Sequence, residues 1–101
     1  MKKESIIELS LPLIFQDRMV LQREKPVRIW GETNAALVNV TLSGKSGIIE
    51  QKSVQVCAGR FMCELPAQPA GTGFSLSVST ADESGGDPAK ILLQDISFGD
   101  I

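Results

Sequence analysis

Strict alternation of apolar and polar residues in two stretches of the sequence constrains the fold more than any other feature. In residues 37–43, Val38, Val40 and Leu42 alternate with polar residues, and in residues 74–79 the apolar residues alternate with serines. Successive side chains of a strand point to opposite faces, so a period of two predicts strands with one buried face and one face in water. Helices have almost no place in such a pattern.

Shorter runs of the same kind complete an all-β pattern, and turns rich in glycine, proline and aspartate separate them. About seven short strands at this spacing are typical of an antiparallel β-sandwich, either immunoglobulin-like or jelly-roll-like. Besides the two stretches above, the predicted strands cover residues 5–13, 19–21, 27–30, 49–57, 60–65 and 90–98.

Three details of the turns and strand ends are specific predictions. We expect a tight turn at residues 17–18, a hairpin turn at the glycines of residues 44–47, and the end of a strand at Gly31. The apolar positions of the last strand change parity near Asp95, which predicts an irregularity there.

The length of 101 residues is that of one small domain, and we expect it to span residues 1–101 with a core from about residue 9 to 98. Ten basic and twelve acidic residues give a net charge of -2, so no basic surface for nucleic acid or an anionic membrane is expected. No apolar run approaches the roughly 18 to 20 residues that cross a bilayer. Glutamates interrupt the apolar stretch that a signal peptide would need after Lys2 and Lys3, so we expect such a signal to be absent or to have been removed.

The absence of histidine limits both catalysis and metal binding. Histidine is the usual general base and the commonest metal ligand, so Ser-His or Cys-His catalysis cannot be built within this chain. Two cysteines are too few for a zinc site of cysteine and histidine ligands. We therefore expect no catalytic residue, no metal and no cofactor in this chain.

Cys57 and Cys63 flank a predicted hairpin, and its register decides whether they can form a disulfide. If residues 58–59 form a two-residue loop, Cys57 lies opposite Arg60 and Val54 lies opposite Cys63. The two cysteines then lie on opposite faces, beyond the roughly 4 Å between Cβ atoms that a disulfide needs. We predict two free thiols, with Cys63 as a small core residue.

Two sets of carboxylates resemble sites, and each has a simpler explanation. Asp82, Glu83 and Asp87 offer the oxygen ligands that calcium prefers, but without ordered ligand spacing a solvated hairpin loop is favoured. Asp95 and Asp100 could be imagined as a pair for acid-base chemistry. With no nucleophile or conjugate base in the pattern, Asp95 is better explained as a turn or strand-end residue.

Two apolar features are candidates for an interface with another domain. Met19, Val20 and Leu21 are consecutive apolar residues, so both faces of that short strand are expected to be buried. One face can pack on the core of this domain, and the other can pack on a surface outside it. The ring of Trp30 can pack at a domain boundary or stack on a sugar ring. The chain has no tyrosine, and we predict no second exposed aromatic that would complete a sugar-binding row. An interface is therefore the favoured interpretation of Trp30.

The spacing of residue types in two stretches resembles a known family. Residues 11–22 follow the pattern Leu-Pro-x-x-Phe-x-Asp-x-Met-Val-Leu-Gln, and residues 25–31 follow Lys-Pro-Val-x-Ile-Trp-Gly. This pattern is similar to the opening of the bacterial sialate O-acetylesterase family, whose members begin with a β-sandwich before an SGNH-type hydrolase domain. Residues 59–61, 65–67 and 95–101 also resemble segments of that family.

The resemblance implies that this chain is the non-catalytic N-terminal domain of a carboxylic-ester hydrolase that removes O-acetyl groups from sialic acids. The family's Gly-Gln-Ser-Asn nucleophile motif would follow residue 101, so the implied partner is the hydrolase domain of the same protein. The implied location is periplasmic or secreted. The alternative is a stand-alone carbohydrate-binding sandwich with a glycan as its partner. A plain adhesion domain is supported by fold analogy alone.

Overall fold

The computed structural model describes residues 8–81 and 89–100, in which eight β-strands form two sheets around an apolar core. The prediction of an all-β sandwich is thereby confirmed. Nowhere in these two ranges does a helix have the length and apolar character needed to cross a membrane. The strands are β1 (Leu9–Ser10), β2 (Val20–Gln22), β3 (Val27–Thr33), β4 (Leu37–Gly44), β5 (Gly47–Gln55), β6 (Arg60–Leu65), β7 (Gly71–Ala81) and β8 (Lys90–Gly99).

The smaller sheet has the strand order β1-β3-β6, and the larger sheet has the order β2-β8-β7-β4-β5. The strand pairs are antiparallel except that of β2 with β8, in which Val20 lies opposite Ser97. This parallel pair is an addition to the antiparallel arrangement that the sequence predicts. Residues 11–19, which we call the crossing segment, connect β1 of the smaller sheet to β2 of the larger one.

The apolar positions of the alternating strands form the core. Val38, Val40 and Leu42 of β4 and Val78 of β7 are fully buried, as their alternation predicts. Ile29 of the smaller sheet belongs to the same cluster, so both sheets share one core. Full burial of a side chain of this size contributes about 1.5 to 3 kcal/mol. The buried faces therefore determine how the two sheets pack together.

Strand β3 continues past Gly31 to Thr33, so the prediction that Gly31 ends this strand is wrong. A Cβ atom on Gly31 would be 2.4 Å from the backbone oxygen of Ser10 and 2.9 Å from a side-chain carbon of Leu11. The chain around β1 can lie this close to β3 only because residue 31 has no side chain. Glycine here permits a close backbone approach inside a strand.

Two predictions involve residues outside the described ranges. The strand predicted at residues 5–13 is observed as the two-residue strand β1, and residues 5–7 lie outside those ranges. The acidic loop that was considered as a calcium site falls within residues 82–88, which also lie outside them.

The predicted hairpin between β5 and β6 is wrong beyond its first residue pair. Cys57 and Arg60 do pair across a two-residue turn, with N···O distances of 2.9 and 3.0 Å. Beyond this pair β5 stays with β4 in the larger sheet, and β6 joins β3, so that Cys63 lies opposite Ile29 instead of Val54. Alternation shows which face of a strand is buried, but it does not show which strand is its neighbour.

The irregularity predicted near Asp95 is confirmed as a bulge in β8. Phe74 pairs with Ile96 and Leu76 pairs with Leu93, so β8 has one residue more than β7 between these pairs. Asp95 has a φ of 58°, in the left-handed region that aspartate adopts more readily than most residues. The bulge restores the burial of apolar side chains after the change of parity.

The turn predicted at residues 17–18 is confirmed, and hydrogen bonds attach it to this bulge. The amide of Arg18 donates a hydrogen bond to the carbonyl of Gln94 at 2.9 Å. The amide of Gln94 in turn donates to Oδ1 of Asp17 at 2.8 Å. The crossing segment is therefore fixed to β8 just before β2 begins.

Candidate interaction surface

The three consecutive apolar residues at the end of the crossing segment and the start of β2 differ in burial. Met19 packs in the core with 9% of its surface exposed, and Leu21 is half-buried against the core. Val20 is 49% exposed, because β2 is an edge strand and alternate side chains point away from the core. Of these three candidate interface residues, Val20 is thus the one that solvent reaches most.

Trp30 lies on the outer face of the smaller sheet, where it alternates with buried residues of β3 and is 42% exposed. Its ring meets that of Phe15 edge-to-face, with 4.7 Å between the ring centroids and an interplanar angle of 78°. This is a favourable geometry for two aromatic rings. Phe15 belongs to the crossing segment and to the core, so it fixes the indole while part of the indole remains in solvent.

A shallow depression of about 460 Å³ connects β2 to Trp30. Leu21, Gln22, Pro26 and Trp30 are among the residues that line it. Two of the four candidate interface residues, Leu21 and Trp30, therefore contribute to one concave surface at the edge of the sandwich.

The structure adds two exposed apolar residues that we did not predict as part of an interface. Leu13 and Ile14 are the central residues of a turn in the crossing segment, closed by a hydrogen bond from the amide of Phe15 to the carbonyl of Pro12 at 3.0 Å. Leu13 is 93% exposed and Ile14 is 60% exposed. The signal in the sequence was the apolar run at residues 11–15, which lies beyond the end of the two-residue strand β1.

We call Leu13, Ile14, Val20, Leu21 and Trp30 together the edge surface. Its members come from the crossing segment, from β2 and from β3. Of these residues, Leu21 and Trp30 line the same depression, while Leu13, Ile14 and Val20 are exposed apolar residues of the crossing segment and of β2.

A second concavity, of about 700 Å³, crosses the smaller sheet, and we call it the small-sheet groove. Trp30 lies opposite Met62 in the pairing of β3 with β6, and Glu32 lies opposite Arg60. All four residues line the groove. Nε of Arg60 is 3.8 Å from Oε2 of Glu32. The groove thus combines an apolar pair with an ion pair, and Met62 and Arg60 were not among the predicted site residues.

Asp95 and Asp100, considered above as an acid-base pair, have separate structural roles. Asp95 forms the bulge of β8, whereas Oδ1 of Asp100 is 3.1 Å from Nε of Arg23. The hydrogen bond from Arg23, followed by its charge, lowers the pKa of the Asp100 carboxyl. A carboxyl with a lowered pKa remains ionised at neutral pH, which suits an ion pair and not a general acid.

The prediction of two free thiols is confirmed: Cys57 is exposed and Cys63 is buried. Burial is the largest effect on the pKa of the Cys63 thiol, and it raises that pKa. Two nearby charges have smaller effects: Lys52 lowers the pKa, and Glu50 raises it. Cys63 therefore remains a protonated core thiol at neutral pH. Cys57, which also lines the small-sheet groove, is the thiol that reagents can reach.

The side chains that line these surfaces limit the chemistry available there. The chain contains no histidine, so it lacks the usual general base of ester hydrolysis. In the part of the chain that the structure describes, no three side chains of histidine, cysteine, aspartate or glutamate come together as a metal site. What the described surfaces offer is apolar contact, together with hydrogen bonds from a few exposed polar groups.

Fold and surface together define a class: a small β-sandwich with an exposed apolar edge and a groove across one sheet. Comparison with profiles of protein families gives no match, and comparison with curated proteins gives none either. Among solved structures, a novel carbohydrate acetylesterase from Xanthomonas citri is similar, with a TM-score of 0.72 and 28% sequence identity. The similarity covers 91% of this chain but 19% of that protein. The chain thus resembles one domain-sized part of a larger acetylesterase.

Proposed function

We propose that this chain is a non-catalytic accessory domain of a larger carbohydrate acetylesterase, which we call the parent protein. The observation that carries the proposal is the similarity between 91% of this chain and 19% of a carbohydrate acetylesterase. A chain without histidine supports a non-catalytic role, because the nucleophile of such esterases depends on a histidine base.

Within this class, we propose a sialate O-acetylesterase as the parent protein. The support for this substrate is the pattern of residues 11–22 and 25–31, which resembles the opening of that family. The similar solved structure is described more broadly, as a carbohydrate acetylesterase. The parent protein would remove O-acetyl groups from sialic acids with a catalytic site outside this chain.

The partner of this domain would be the hydrolase domain of the parent protein, and the edge surface would be the contact. Val20 and Trp30 offer exposed apolar area, and the depression between β2 and Trp30 can receive a side chain of the partner. Buried apolar and aromatic anchors supply most of the energy of such contacts. Met19, which was also a candidate, would act from the core by supporting the start of β2.

Esterase assays with an O-acetylated sialic acid and with acetylated xylan test the proposed function. We expect the parent protein to deacetylate the sialic acid, and this chain alone to leave both substrates intact. Activity in this chain alone would contradict the non-catalytic role. A parent protein that deacetylates only xylan would contradict the sialate assignment and retain the broader one.

The substitution Val20→Lys tests the proposed contact. In this chain alone it should change the free energy of unfolding by less than about 0.5 kcal/mol, as exposed substitutions usually do. In the parent protein it should destabilise the docked domain by about 1 to 3 kcal/mol, because a lysine would be buried without a partner charge. Ile48→Lys is the matched control, since Ile48 is exposed on β5 outside the edge surface. Equal effects of the two variants in the parent protein would contradict the contact.

A further inference from the structure

The apolar half of the small-sheet groove has the features of a stacking platform. Trp30 and Met62 are directly opposite each other on β3 and β6, and they are 42% and 54% exposed. Phe15 fixes the indole from one side. The sequence lacks a second exposed aromatic for a sugar-binding row, but the structure places the polarisable side chain of Met62 beside the indole instead.

The polar half of the groove offers hydrogen bonds in both directions. The guanidinium of Arg60 donates and the carboxylate of Glu32 accepts, and their side chains are 79% and 68% exposed. An ion pair this exposed contributes little to stability, so ligand hydroxyls can replace its contacts. Gln55 and Ser10, which also line the groove, add an amide and a hydroxyl.

We propose that the small-sheet groove binds an uncharged pyranose ring of a glycan, stacked on Trp30 and hydrogen-bonded by Arg60 and Glu32. A pyranose has an apolar C–H face and a rim of hydroxyls, which match the two halves of the groove. The volume of about 700 Å³ is within the range of small-ligand sites. This inference depends on the groove alone, and it does not require the proposed function to be correct.

The charge of the groove favours a neutral sugar over an acidic one. The two charged side chains that line it, Glu32 and Arg60, form a pair with no net charge. A carboxylate on the ligand would have to compete with Glu32 for Arg60, and it would leave two like charges close together. A sialic acid is therefore expected to bind less tightly than a neutral sugar.

Intrinsic fluorescence provides a direct test, because Trp30 is the one tryptophan of a chain without tyrosine. The isolated chain is first applied to an array of neutral and sialylated glycans, and then titrated with N-acetyllactosamine, sialylated N-acetyllactosamine and xylotetraose. We expect a saturable change in emission with a neutral glycan at millimolar concentration or below. No neutral glycan retained on the array, or tighter binding of the sialylated form, would overturn the proposal.

Two matched arginine variants locate the bound sugar. Arg60→Gln should weaken binding by about tenfold through the loss of one charge-assisted hydrogen bond. Arg28→Gln is the control, because Arg28 forms the other ion pair of this sheet face, with Glu64 at 3.3 Å, and lines the depression instead of the groove. Equal affinities of the two variants would overturn the proposed site.

Alkylation of Cys57 gives a second readout, independent of Trp30. Cys57 is exposed and lines the groove, whereas Cys63 is buried. A saturating neutral glycan should slow the reaction of iodoacetamide with Cys57, and an unchanged rate would overturn the site. Trp30 lines both the small-sheet groove and the depression of the edge surface, so in the parent protein a docked hydrolase domain and a sugar would share this residue. All these measurements use this chain alone, so their failure would leave the proposed contact with a hydrolase domain untouched.

Discussion

Gly31 is the residue at which two chain segments approach most tightly among the described glycines. A Cβ atom there would be 2.4 Å from the backbone oxygen of Ser10, and backbone cannot move aside as a side-chain end can. Its neighbour Trp30 points outward from the same strand, so the position of β1 and the shape of the small-sheet groove both depend on this contact.

We predict that Gly31→Ala lowers the free energy of unfolding by about 1 to 3 kcal/mol, because the added methyl group overpacks this contact. Chemical denaturation measures the loss. Gly99→Ala is the control, since a Cβ atom there would be 3.8 Å from Cγ1 of Val20, an ordinary contact distance. Similar denaturation midpoints for the two variants would contradict the close approach at Gly31.

The buried thiol of Cys63 predicts a pH dependence of stability. Burial raises its pKa above the ordinary value of 9.0, so the folded chain holds this proton more tightly than the unfolded chain does. The contribution of the thiol is therefore complete below the unfolded pKa and is lost as pH rises through the folded pKa.

Denaturation from neutral pH to about pH 10 should show this loss in the original chain and a smaller one in Cys63→Ala. Cys57→Ala is the control, because Cys57 is exposed and its replacement should leave the loss unchanged. An identical pH dependence in all three proteins would show that Cys63 does not titrate as its burial requires.

At the scale of elements, the sequence predicts strands well and their partners less well. Strands β4, β6 and β7 were predicted because one apolar face repeats every second residue, and the hairpin at residues 44–47 is confirmed by the pairing of Gly44 with Gly47. The pairing of β6 with β3 and the parallel pairing of β2 with β8 depend on how the two sheets pack on each other. Such pairings are determined by long-range packing, and local periodicity does not reveal them.

The attachment of the crossing segment to β8 is a testable element of this packing. Asp17→Ala removes the acceptor of the Gln94 amide hydrogen bond, and we expect it to lower the free energy of unfolding by about 1 kcal/mol. Asp17→Asn retains a side-chain oxygen acceptor and should lose less. Hydrogen exchange at Gln94 should accelerate more in the alanine variant than in the asparagine variant. Equal exchange rates would mean that this bond does not hold the bulge.

At the scale of the whole molecule, the sequence located part of the candidate surface. Val20 and Trp30 are exposed, and an interface role for them remains a proposal. The exposure of Leu13 and Ile14 results from a turn within an apolar run, where a strand was the simpler prediction. Met62 reaches Trp30 through the pairing of β6 with β3, so the groove could not be predicted before that pairing was known.

Hydrogen exchange of this domain, measured alone and within the parent protein, tests the accessory role most directly. If the edge surface contacts a hydrolase domain, amides of residues 13–22 should exchange more slowly in the parent protein, because docking covers the crossing segment and β2. Amides of the hairpin at residues 44–49 provide the internal control and should exchange at the same rate in both. Equal exchange of residues 13–22 in the two proteins would contradict docking through the edge surface.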